Sequence, residues 1–270
     1  MVYKISIMNP DLKLSIDAAI EAGDIIMEIY NKDFQVFEKE DLSPLTEADN
    51  ASNEIINRYL ENTEIPIISE ENKEIDYEER KKWSTCWLVD PVDGTKEFIK
   101  KNGEFTVNIA LIENNKPVLG VIYVPVTKEL YYADVREGYS CKLIVLNSEV
   151  SEEDFKNSTR LKGDRNFGEE LRIVGSRSHM NTETVNYIKS LEVSLGKKTT
   201  IVSKGSSLKF CLIAENKADI YPRFAPTMEW DTAAGQAICN AIGIAVINDE
   251  TKEELTYNKE NLLNPWFICK

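Results

Sequence analysis

Five acidic side chains follow short apolar runs at three separate places in the sequence. Glu70 and Glu71 follow "IPIIS", Asp90 and Asp93 follow "CWLV", and Asp231 follows "MEW" and precedes the alanine-rich stretch "TAAGQAI". Hard cations such as Mg²⁺ prefer oxygen ligands, usually one or two carboxylates per ion together with water and substrate phosphate. If the three places converge at one end of a sheet, these acids suit a cluster of two or three Mg²⁺ ions.

Each of these acids also has an ordinary structural explanation. "DPVDG" is typical of a turn, and an isolated Asp such as Asp231 before a helix is more often an N-cap than a ligand. Thr46 and Asp49 resemble a capping box, and Glu70 and Glu71 open the acidic run "EENKEIDYEER". The structural explanation is better for each acid taken alone, whereas their joint occurrence favours a metal site.

Composition limits the chemistry further. The formal net charge of −14 argues against a nucleic-acid polymer or an anionic membrane as partner, because both require a basic face. A small anionic substrate remains possible if bound cations or a few Lys and Arg invert the local field. His179 is the only histidine, so a zinc site with several His ligands is excluded. Carboxylate and hard-metal chemistry is therefore favoured.

The cysteines and the lengths of the apolar runs indicate the cellular compartment of the protein. The sequence contains no CxxC pair, which favours reduced, buried thiols over disulfides or zinc sites; the cysteines are Cys86, Cys141, Cys211, Cys239 and Cys269. No apolar run approaches the ~20 residues needed to cross a bilayer, and the first residues lack the features of a signal peptide. We therefore expect a cytoplasmic protein with no transmembrane segment.

Helical periodicity and short apolar runs define the first half of the chain. Residues 11 to 30 are predicted to form an amphipathic helix. A second helix is predicted to begin at Thr46, with a buried stripe of Ala48, Ala51, Ile55 and Tyr59. "IPIIS" and "CWLV" are predicted buried strands, and residues 104 to 135 are predicted to form an antiparallel meander.

The second half begins with a charged segment and continues as an α/β pattern. Residues 147 to 170 are poor in apolar side chains and are predicted to form a surface excursion or inter-domain link. Beyond them, "LRIVGS", "TTIVSKG" and "ADIYPRF" are predicted strands. Predicted helices alternate with these strands, at residues 181 to 195, 206 to 215 and 231 to 242.

Three segments together resemble the signature motifs of the inositol monophosphatase superfamily of Mg²⁺-dependent, lithium-sensitive phosphatases. They are "SEE" at 69 to 71, "DPVDGT" at 90 to 95 and "EWDTAAG" at 229 to 235. Within the superfamily, "WLVDPVDGTKEFIKKNGEFTVNIALI", "VGSRSH" and "GSSLKFCLIAENKADIYPRFAPTMEWDTAAG" are most similar to the 3'(2'),5'-bisphosphate nucleotidases of the CysQ type. Val92 stands where Leu or Ile is commoner, and the charged segment is longer than usual.

The resemblance implies specific ligands for the metal ions. One Mg²⁺ is held by Glu70, Asp90 and the backbone carbonyl of Val92. A second Mg²⁺ is held by Asp90, Asp93 and Asp231. The substitution at Val92 matters little if that residue lends only its carbonyl oxygen.

The resemblance also implies catalytic roles around the second motif. Gly94 lets the backbone approach the phosphate, and the amides near Thr95 and Lys96 open the helix "KEFIKK" and donate to a phosphate oxygen. Thr95 pairs with an acid that orients the attacking water, for which Asp49 and Glu70 are the candidates. Asp49 is also implied to contact a third, loosely held metal. The reaction is then a direct in-line attack of water on phosphorus, without a phospho-enzyme.

The second half of the chain is implied to bind the nucleotide. Ser206, Lys209 and Arg223 match positions at which relatives of this type bind substrate, and Lys and Arg suit a 5'-phosphate. His179 matches a further nucleotide-contacting position. A single His taken alone is more often an ordinary polar surface residue, but its motif favours the nucleotide contact.

The predicted fold is α+β, a layered α/β/α/β/α sandwich of the inositol monophosphatase (sugar phosphatase) type with two subdomains. An N-terminal α+β domain at 1–146 carries the metal-binding motifs, and a C-terminal α/β domain at 147–270 carries the nucleotide-binding residues. We expect the active site to lie between them.

The predicted function is Mg²⁺-dependent removal of the 3'-phosphate of 3'-phosphoadenosine 5'-phosphate, a by-product of sulfate activation. The alternatives are a broader inositol or sugar monophosphatase and, less favoured, a non-catalytic nucleotide sensor. Partners are limited to a small nucleotide, with a monomer or homodimer as the assembly. Bacterial members of the type are also implied to associate peripherally with the inner membrane.

Overall fold

A computed structural model describes residues 8–38, 44–147, 149–164, 167–175 and 180–270. Its helices are α1 (Pro10–Tyr30), α2 (Glu47–Leu60), α3 (Tyr77–Arg80), α4 (Thr95–Ile99), α5 (Glu152–Lys156), α6 (Thr182–Leu195), α7 (Leu208–Ala214) and α8 (Glu229–Asn240), with a 3-10 turn at Glu61–Thr63. Its strands are β1 (Val36–Glu38), β2 (Pro44–Thr46), β3 (Ile67–Ser69), β4 (Thr85–Asp93), β5 (Thr106–Glu113), β6 (Lys116–Val124), β7 (Glu129–Asp134), β8 (Tyr139–Ile144), β9 (Thr159–Arg160), β10 (Glu170–Gly175), β11 (Lys198–Ser203), β12 (Tyr221–Arg223), β13 (Val246–Asn248) and β14 (Phe267–Cys269).

The first two helices begin where local capping chemistry favours a start. The side chain of Asn9 accepts from the backbone N–H of Asp11 (2.8 Å) and Leu12 (3.3 Å), and a proline follows at the first helical position. In α2, the carboxylate of Asp49 accepts from the backbone N–H of Thr46 (2.8 Å), which completes a capping box. Both predicted helix starts are confirmed.

The buried stripe of α2 differs from the predicted one. Of the four residues expected to form it, Ala48 is buried and the other three are only half-buried: Ala51, Ile55 and Tyr59. The buried positions further along the helix are Ser52, Asn53, Ile56 and Leu60. Two of these are polar, so hydrophobic periodicity could not find them.

A seven-stranded sheet forms the centre of the first half of the chain. The strand order is β3-β4-β5-β6-β7-β8-β9, with β3 parallel to β4 and the remaining pairs antiparallel, so the predicted meander is confirmed. Alternate residues of β5 face opposite sides of the sheet. Val107, Ile109 and Leu111 share a core with α1 and α2, whereas Ala110 and Ile112 share a core with α7 and α8.

Helices α7 and α8 lie between this sheet and a second one. A Cβ atom at Gly120 of β6 would lie 2.6 Å from the backbone oxygen of Ala234, so only glycine allows α8 to approach the sheet so closely. The second sheet contains β12-β14-β13 and the parallel pair β10-β11, which are joined by a bridge between Ile173 and Ile220. Helix α6 packs on its outer face through Ile188.

The resulting order of layers is helices, sheet, helices, sheet and helix. The predicted layered α/β/α/β/α sandwich is therefore confirmed. The predicted helices of the second half match α6, α7 and α8 to within two residues at most ends, and the predicted helix after "DPVDG" is α4.

The charged segment contains short regular elements where it is described. Strand β9 pairs with β8, and Leu161 directly after it is buried, so the seven-stranded sheet continues beyond residue 146. Helix α5 lies between the two strands along the chain. The division into domains at 1–146 and 147–270 stays a prediction.

The structure also bears on the cysteines and on membrane insertion. All five cysteines are buried thiols, and the Sγ atoms of Cys239 and Cys269 lie 3.7 Å apart, farther than in a disulfide. Among the helices within the described ranges, none combines the length and apolarity needed to cross a membrane.

Candidate active site

A β-bulge in β4 brings Asp90 and Asp93 to the same face of the sheet. Asp90 pairs with Asn108 of β5, and Asp93 pairs with Thr106, so three steps on β4 span two steps on β5. Without the extra residue, side chains three apart would point to opposite faces. Pro91 lies in the bulge, where its missing N–H costs no ladder hydrogen bond.

Glu70, Asp90 and Asp231 form a cluster of acids. One carboxylate oxygen from each lies within 4.8 Å of the others. Glu70 reaches the cluster because its backbone N–H donates to the carbonyl of Val89 (3.2 Å), which extends the parallel pairing of β3 and β4. The three acids that the sequence places far apart therefore converge, as predicted, at one end of the sheet.

Asp231 combines a structural contact with its place in the cluster. It occupies the third position of α8, and its Oδ2 accepts from the backbone N–H of Met228 (2.8 Å). The carboxylate thus stabilises the start of α8, which is the ordinary explanation considered for it. Since one of its oxygens also lies in the acid cluster, the two explanations do not exclude each other.

Asp90 and Asp231 of this cluster have raised pKa values. Asp90 is 1% exposed, and burial, followed by the charge of Glu70 and the other nearby carboxylates, raises the pKa of Asp90 well above its ordinary value. Burial, and then the charge of Asp93, raises the pKa of Asp231 to about 7. Crowding of one buried and two half-buried carboxylates costs free energy unless a cation neutralises them, so the cluster is suited to hold a metal ion.

Asp49 connects α2 to the start of α4. Its Oδ2 accepts from the hydroxyl of Thr46 (2.6 Å), and its Oδ1 accepts from the hydroxyl of Thr95 (3.1 Å). Burial raises the pKa of Asp49, against the opposing effect of the Thr46 hydrogen bonds. The Thr95 hydroxyl also lies 3.3 Å from the carbonyl oxygen of Val92. The predicted pairing of Thr95 with an acid is thus present in the structure.

Asp93 is held by residues that sequence reasoning missed. Its Oδ2 accepts from the backbone N–H of Ser207 (2.6 Å) and from Nδ2 of Asn108 (3.2 Å). Burial raises the pKa of Asp93, and the nearby Lys209 cation opposes that shift. The available signal was the pair of polar residues spaced by two in "TVNIALI", an otherwise apolar strand.

Gly94 lies at a tight point between two segments. Its φ of 96° is in the left-handed region, and a Cβ atom there would lie 2.2 Å from Oγ of Ser206. Ser206 itself has a φ of 49°, and its Oγ lies 2.6 Å from the carbonyl oxygen of Asp93 and 2.7 Å from that of Glu104. Ser206 therefore holds the turn before α7 against the segment "DPVDGT" by a hydrogen bond to Asp93.

Two adjoining cavities share Lys209, Tyr221 and Arg223. The smaller, of about 230 Å³, is lined by Asp93 and Asp231 on the side of the acid cluster. The larger, of about 430 Å³, is lined by apolar and polar residues of the second sheet and α6, including Val174, Met180, Asn181, Thr184 and Phe224. Together they form a path leading away from the acids past two cationic side chains.

The two cations in these cavities have unusual surroundings. Nε of Arg223 is buried with no hydrogen-bond partner within the part of the chain that the structure describes, whereas Nη2 donates to the carbonyl of Pro226 (3.0 Å). Burial lowers the pKa of Lys209 to about 8, with Asp93 opposing the shift and Arg223 adding to it. Nζ of Lys209 donates to the carbonyl of Ser206 (2.7 Å). An anion between Lys209 and Arg223 would relieve both groups.

The predicted site residues are therefore brought together unequally. Glu70, Asp90 and Asp231 form the tight cluster, and Asp93 lies beside it with one oxygen turned toward Ser207. His179 lies outside the described residues. The division of ligands between two metal ions stays a prediction, as do the roles given to Val92, Gly94 and Ser206.

Comparison with known proteins gives consistent similarities. A model described as the inositol monophosphatase family matches residues 8–265. The chain is 46% identical over 254 residues to a Salmonella typhimurium protein named 3'(2'),5'-bisphosphate nucleotidase CysQ, covering 92% of this chain and 95% of that protein. It is 44% identical over 254 residues, with the same coverage, to the protein of that name from Escherichia coli K12.

Solved structures show the same pattern. The crystal structure of CysQ from Bacteroides thetaiotaomicron is 50% identical with a TM-score of 0.86, covering 97% of each chain. A Thermotoga maritima IMPase is 22% identical with a TM-score of 0.72, covering 97% of this chain and 92% of that one. The second similarity concerns the fold alone.

Proposed function

Because this chain belongs to the inositol monophosphatase family, we propose that it is a 3'(2'),5'-bisphosphate nucleotidase. Its substrate is 3'-phosphoadenosine 5'-phosphate, a by-product of sulfate activation, which it hydrolyses to AMP and phosphate. The similarity to proteins named CysQ over most of the chain supports this activity.

The two cationic side chains beside the acid cluster favour a bisphosphate nucleotide as the substrate. Lys209 and Arg223 line both cavities, and the buried Nε of Arg223 lacks a partner within the described residues. Hydrolysis of a simple monophosphate needs no second anion site, whereas a bisphosphate nucleotide brings a phosphate that is not hydrolysed. The larger cavity beyond these cations leaves room for a nucleoside.

The acid cluster is suited to Mg²⁺. Glu70, Asp90 and Asp231 would hold the first ions, with Asp93 and the Val92 carbonyl completing a set for two to three ions. When bound, Mg²⁺ supplies positive charge for the reacting phosphate and for the departing 3'-oxygen. The crowded, mutually repelling carboxylates support this assignment, because a bound cation would offset their repulsion.

The residues of the chain prepare the attacking water. The carboxylate of Asp49 holds the hydroxyl of Thr95, so a water in contact with Thr95 can pass a proton along this pair as it attacks phosphorus. The raised pKa of Asp49 makes that carboxylate a better base than an ordinary Asp. Glu70 is the alternative acceptor. Gly94 and the first amides of α4 orient the phosphate for an in-line displacement.

The proposal is tested by separating the two phosphates of the substrate. Arg223→Ala and Lys209→Ala should each raise KM for 3'-phosphoadenosine 5'-phosphate by about ten- to a hundredfold, the value of one charge-assisted contact. Neither change should greatly affect adenosine 3'-phosphate, which lacks the 5'-phosphate. Lys204→Ala is the matched control, because Lys204 lines the same cavity but is more exposed and paired with Glu104.

A substrate panel decides between this function and the broader one. Wild-type protein is assayed for phosphate release from 3'-phosphoadenosine 5'-phosphate, inositol 1-phosphate and fructose 1,6-bisphosphate. Preference for inositol 1-phosphate, or equal losses on both nucleotides in Arg223→Ala, would favour a broader inositol or sugar monophosphatase. Binding without turnover of any substrate would favour a nucleotide sensor.

A further inference from the structure

A hydrogen-bonded group of buried polar side chains lies behind Asp93. We infer that Asn108, oriented by Thr106 and Ser207, is a positioning residue that fixes which oxygen of Asp93 is available to a metal ion. This inference rests on the proposed metal-dependent function. Thr106, Asn108 and Ser207, called here the Asp93 support group, are 0%, 1% and 2% exposed.

The hydrogen bonds to Asp93 are one-sided. Both side-chain and backbone donors of the support group end on Oδ2, from Ser207 N–H at 2.6 Å and Asn108 Nδ2 at 3.2 Å. A carboxylate fixed at one oxygen by two donors loses its freedom to rotate, so its other oxygen keeps a constant direction. Ligating carboxylates are commonly oriented by such outer contacts, which also tune their affinity for the metal.

The orientation of the Asn108 amide is itself determined. Its Oδ1 accepts from the hydroxyl of Ser207 (2.7 Å) and lies 3.1 Å from that of Thr106, and the two hydroxyls lie 2.8 Å apart. Because hydroxyl donors surround the carbonyl end, the NH₂ end must point toward Asp93. The side chain of Thr106 thus acts on the Asp93 carboxylate through Asn108, which it contacts directly and through the hydroxyl of Ser207.

The support group also joins distant parts of the chain. Thr106 and Asn108 are two residues apart on β5 and share the face that meets α7 and α8, where Ala110 and Ile112 continue as core. Ser207 is the N-cap residue of α7. The hydroxyl of its neighbour Ser206 donates to the backbone carbonyl of Asp93. The segment that presents Lys209 is therefore held against a metal ligand.

The experiment measures Mg²⁺ binding to the substrate-free protein by calorimetry, beside kcat and KM. Asn108→Leu keeps the branched shape of the side chain but removes the amide, and should weaken Mg²⁺ binding by about ten- to a hundredfold, the usual effect of losing an outer contact to a ligand. Thr106→Val should weaken it less, and Thr106→Ser, which keeps the hydroxyl, should remain close to wild type. KM for the nucleotide at saturating Mg²⁺ should change little.

A double variant distinguishes positioning from a merely structural role. If Thr106 acts through Asn108, the Thr106→Val/Asn108→Leu protein should bind Mg²⁺ no more weakly than Asn108→Leu alone. Additive losses, or unchanged Mg²⁺ affinity in folded Asn108→Leu, would overturn the inference. Should Asn108→Leu fail to fold, the comparison of Thr106→Val with Thr106→Ser decides: equal Mg²⁺ affinities would overturn it.

The titration contains no nucleotide, so it is independent of the substrate. A wild-type protein that binds Mg²⁺ but does not hydrolyse 3'-phosphoadenosine 5'-phosphate would contradict the proposed function and leave this inference standing. If the wild-type protein hydrolyses the nucleotide but Mg²⁺ affinity is unchanged in Asn108→Leu, in Thr106→Val and in their double variant, this inference is contradicted and the proposed function stands.

Discussion

The hydroxyl of Thr95 lies 3.1 Å from Oδ1 of Asp49, although the two residues are 46 positions apart in the sequence. The other oxygen of Asp49 is occupied by the N–H and hydroxyl of Thr46, so the capping box that starts α2 also orients the acid toward Thr95. One carboxylate thus takes part both in a local helix-start motif and in the contact with Thr95.

Thr95→Val should lower kcat with little change in KM or stability. Valine has nearly the shape of threonine but cannot accept a proton or donate to Asp49, and loss of general acid–base assistance typically costs about a hundred- to ten-thousandfold. Initial-rate kinetics of Thr95→Val and the hydroxyl-bearing control Thr95→Ser provide the check. Equal losses in the two variants would mean that the hydroxyl is not the functional group.

Asp90→Asn should nearly abolish turnover while stabilising the metal-free protein. The variant lacks the central carboxylate of the cluster, so activity should fall by several orders of magnitude even at saturating Mg²⁺. It also removes a buried charge that its neighbours repel, which should raise the melting temperature in EDTA by a few degrees, at about 2–4 °C per kcal/mol. Near-normal activity would refute the metal assignment.

Stability without metal should fall as pH rises. The folded protein binds more protons than the unfolded chain wherever a carboxyl has a raised pKa, so the free energy of unfolding decreases from the ordinary Asp range up through about 7, the pKa of Asp231. Denaturation in EDTA from about pH 5 to about pH 8 measures this slope. Asp231→Asn should flatten it, and Mg²⁺ should reverse it, since metal binding requires the deprotonated acids. A free energy of unfolding that increases with pH in EDTA would contradict the raised pKa of these carboxyls.

Lys209 should give the bisphosphate substrate its own pH dependence. With a pKa of about 8, Lys209 loses its charge above that pH, so kcat/KM for 3'-phosphoadenosine 5'-phosphate should decline there more steeply than kcat/KM for adenosine 3'-phosphate. Effects on the metal site are common to both substrates and cancel in the ratio. Lys209→Arg should move the decline to higher pH, because Arg stays charged. If the ratio of the two kcat/KM values does not vary with pH, Lys209 does not contact the 5'-phosphate.

Local chemistry made much of the fold predictable. The helix predicted at 11 to 30 is Pro10–Tyr30. Its start could be predicted because the capping residue and the proline are adjacent in the sequence, and its length because apolar residues recur along it. The capping box at Thr46 and the strand that contains "CWLV" follow from the same short-range rules. The convergence of Glu70, Asp90 and Asp231 was anticipated from their positions at the ends of apolar runs.

The features that could not be predicted depend on contacts between distant residues. Ser52 and Asn53 are buried in α2 because one donates to the carbonyl of Pro91 and the other accepts from Ser69, whereas periodicity counts only apolar side chains. Ser207 contacts Asp93 from 114 positions away. The bulge that turns Asp93 to the face of Asp90 is a property of the pairing with β5, not of β4 alone.

Strand β14 occupies the centre of the three-stranded part of the second sheet, although it follows every other described element along the chain. Arg223 on β12 pairs directly with Phe267 on β14, so the antiparallel pairing of the strand that presents this cation forms only after translation has reached β14. During synthesis, the acids of the candidate site, Glu70, Asp90, Asp93 and Asp231, are all made before this strand. In a timed translation reaction, catalytic activity should therefore appear only after β14 has left the ribosome, however early the first sheet forms.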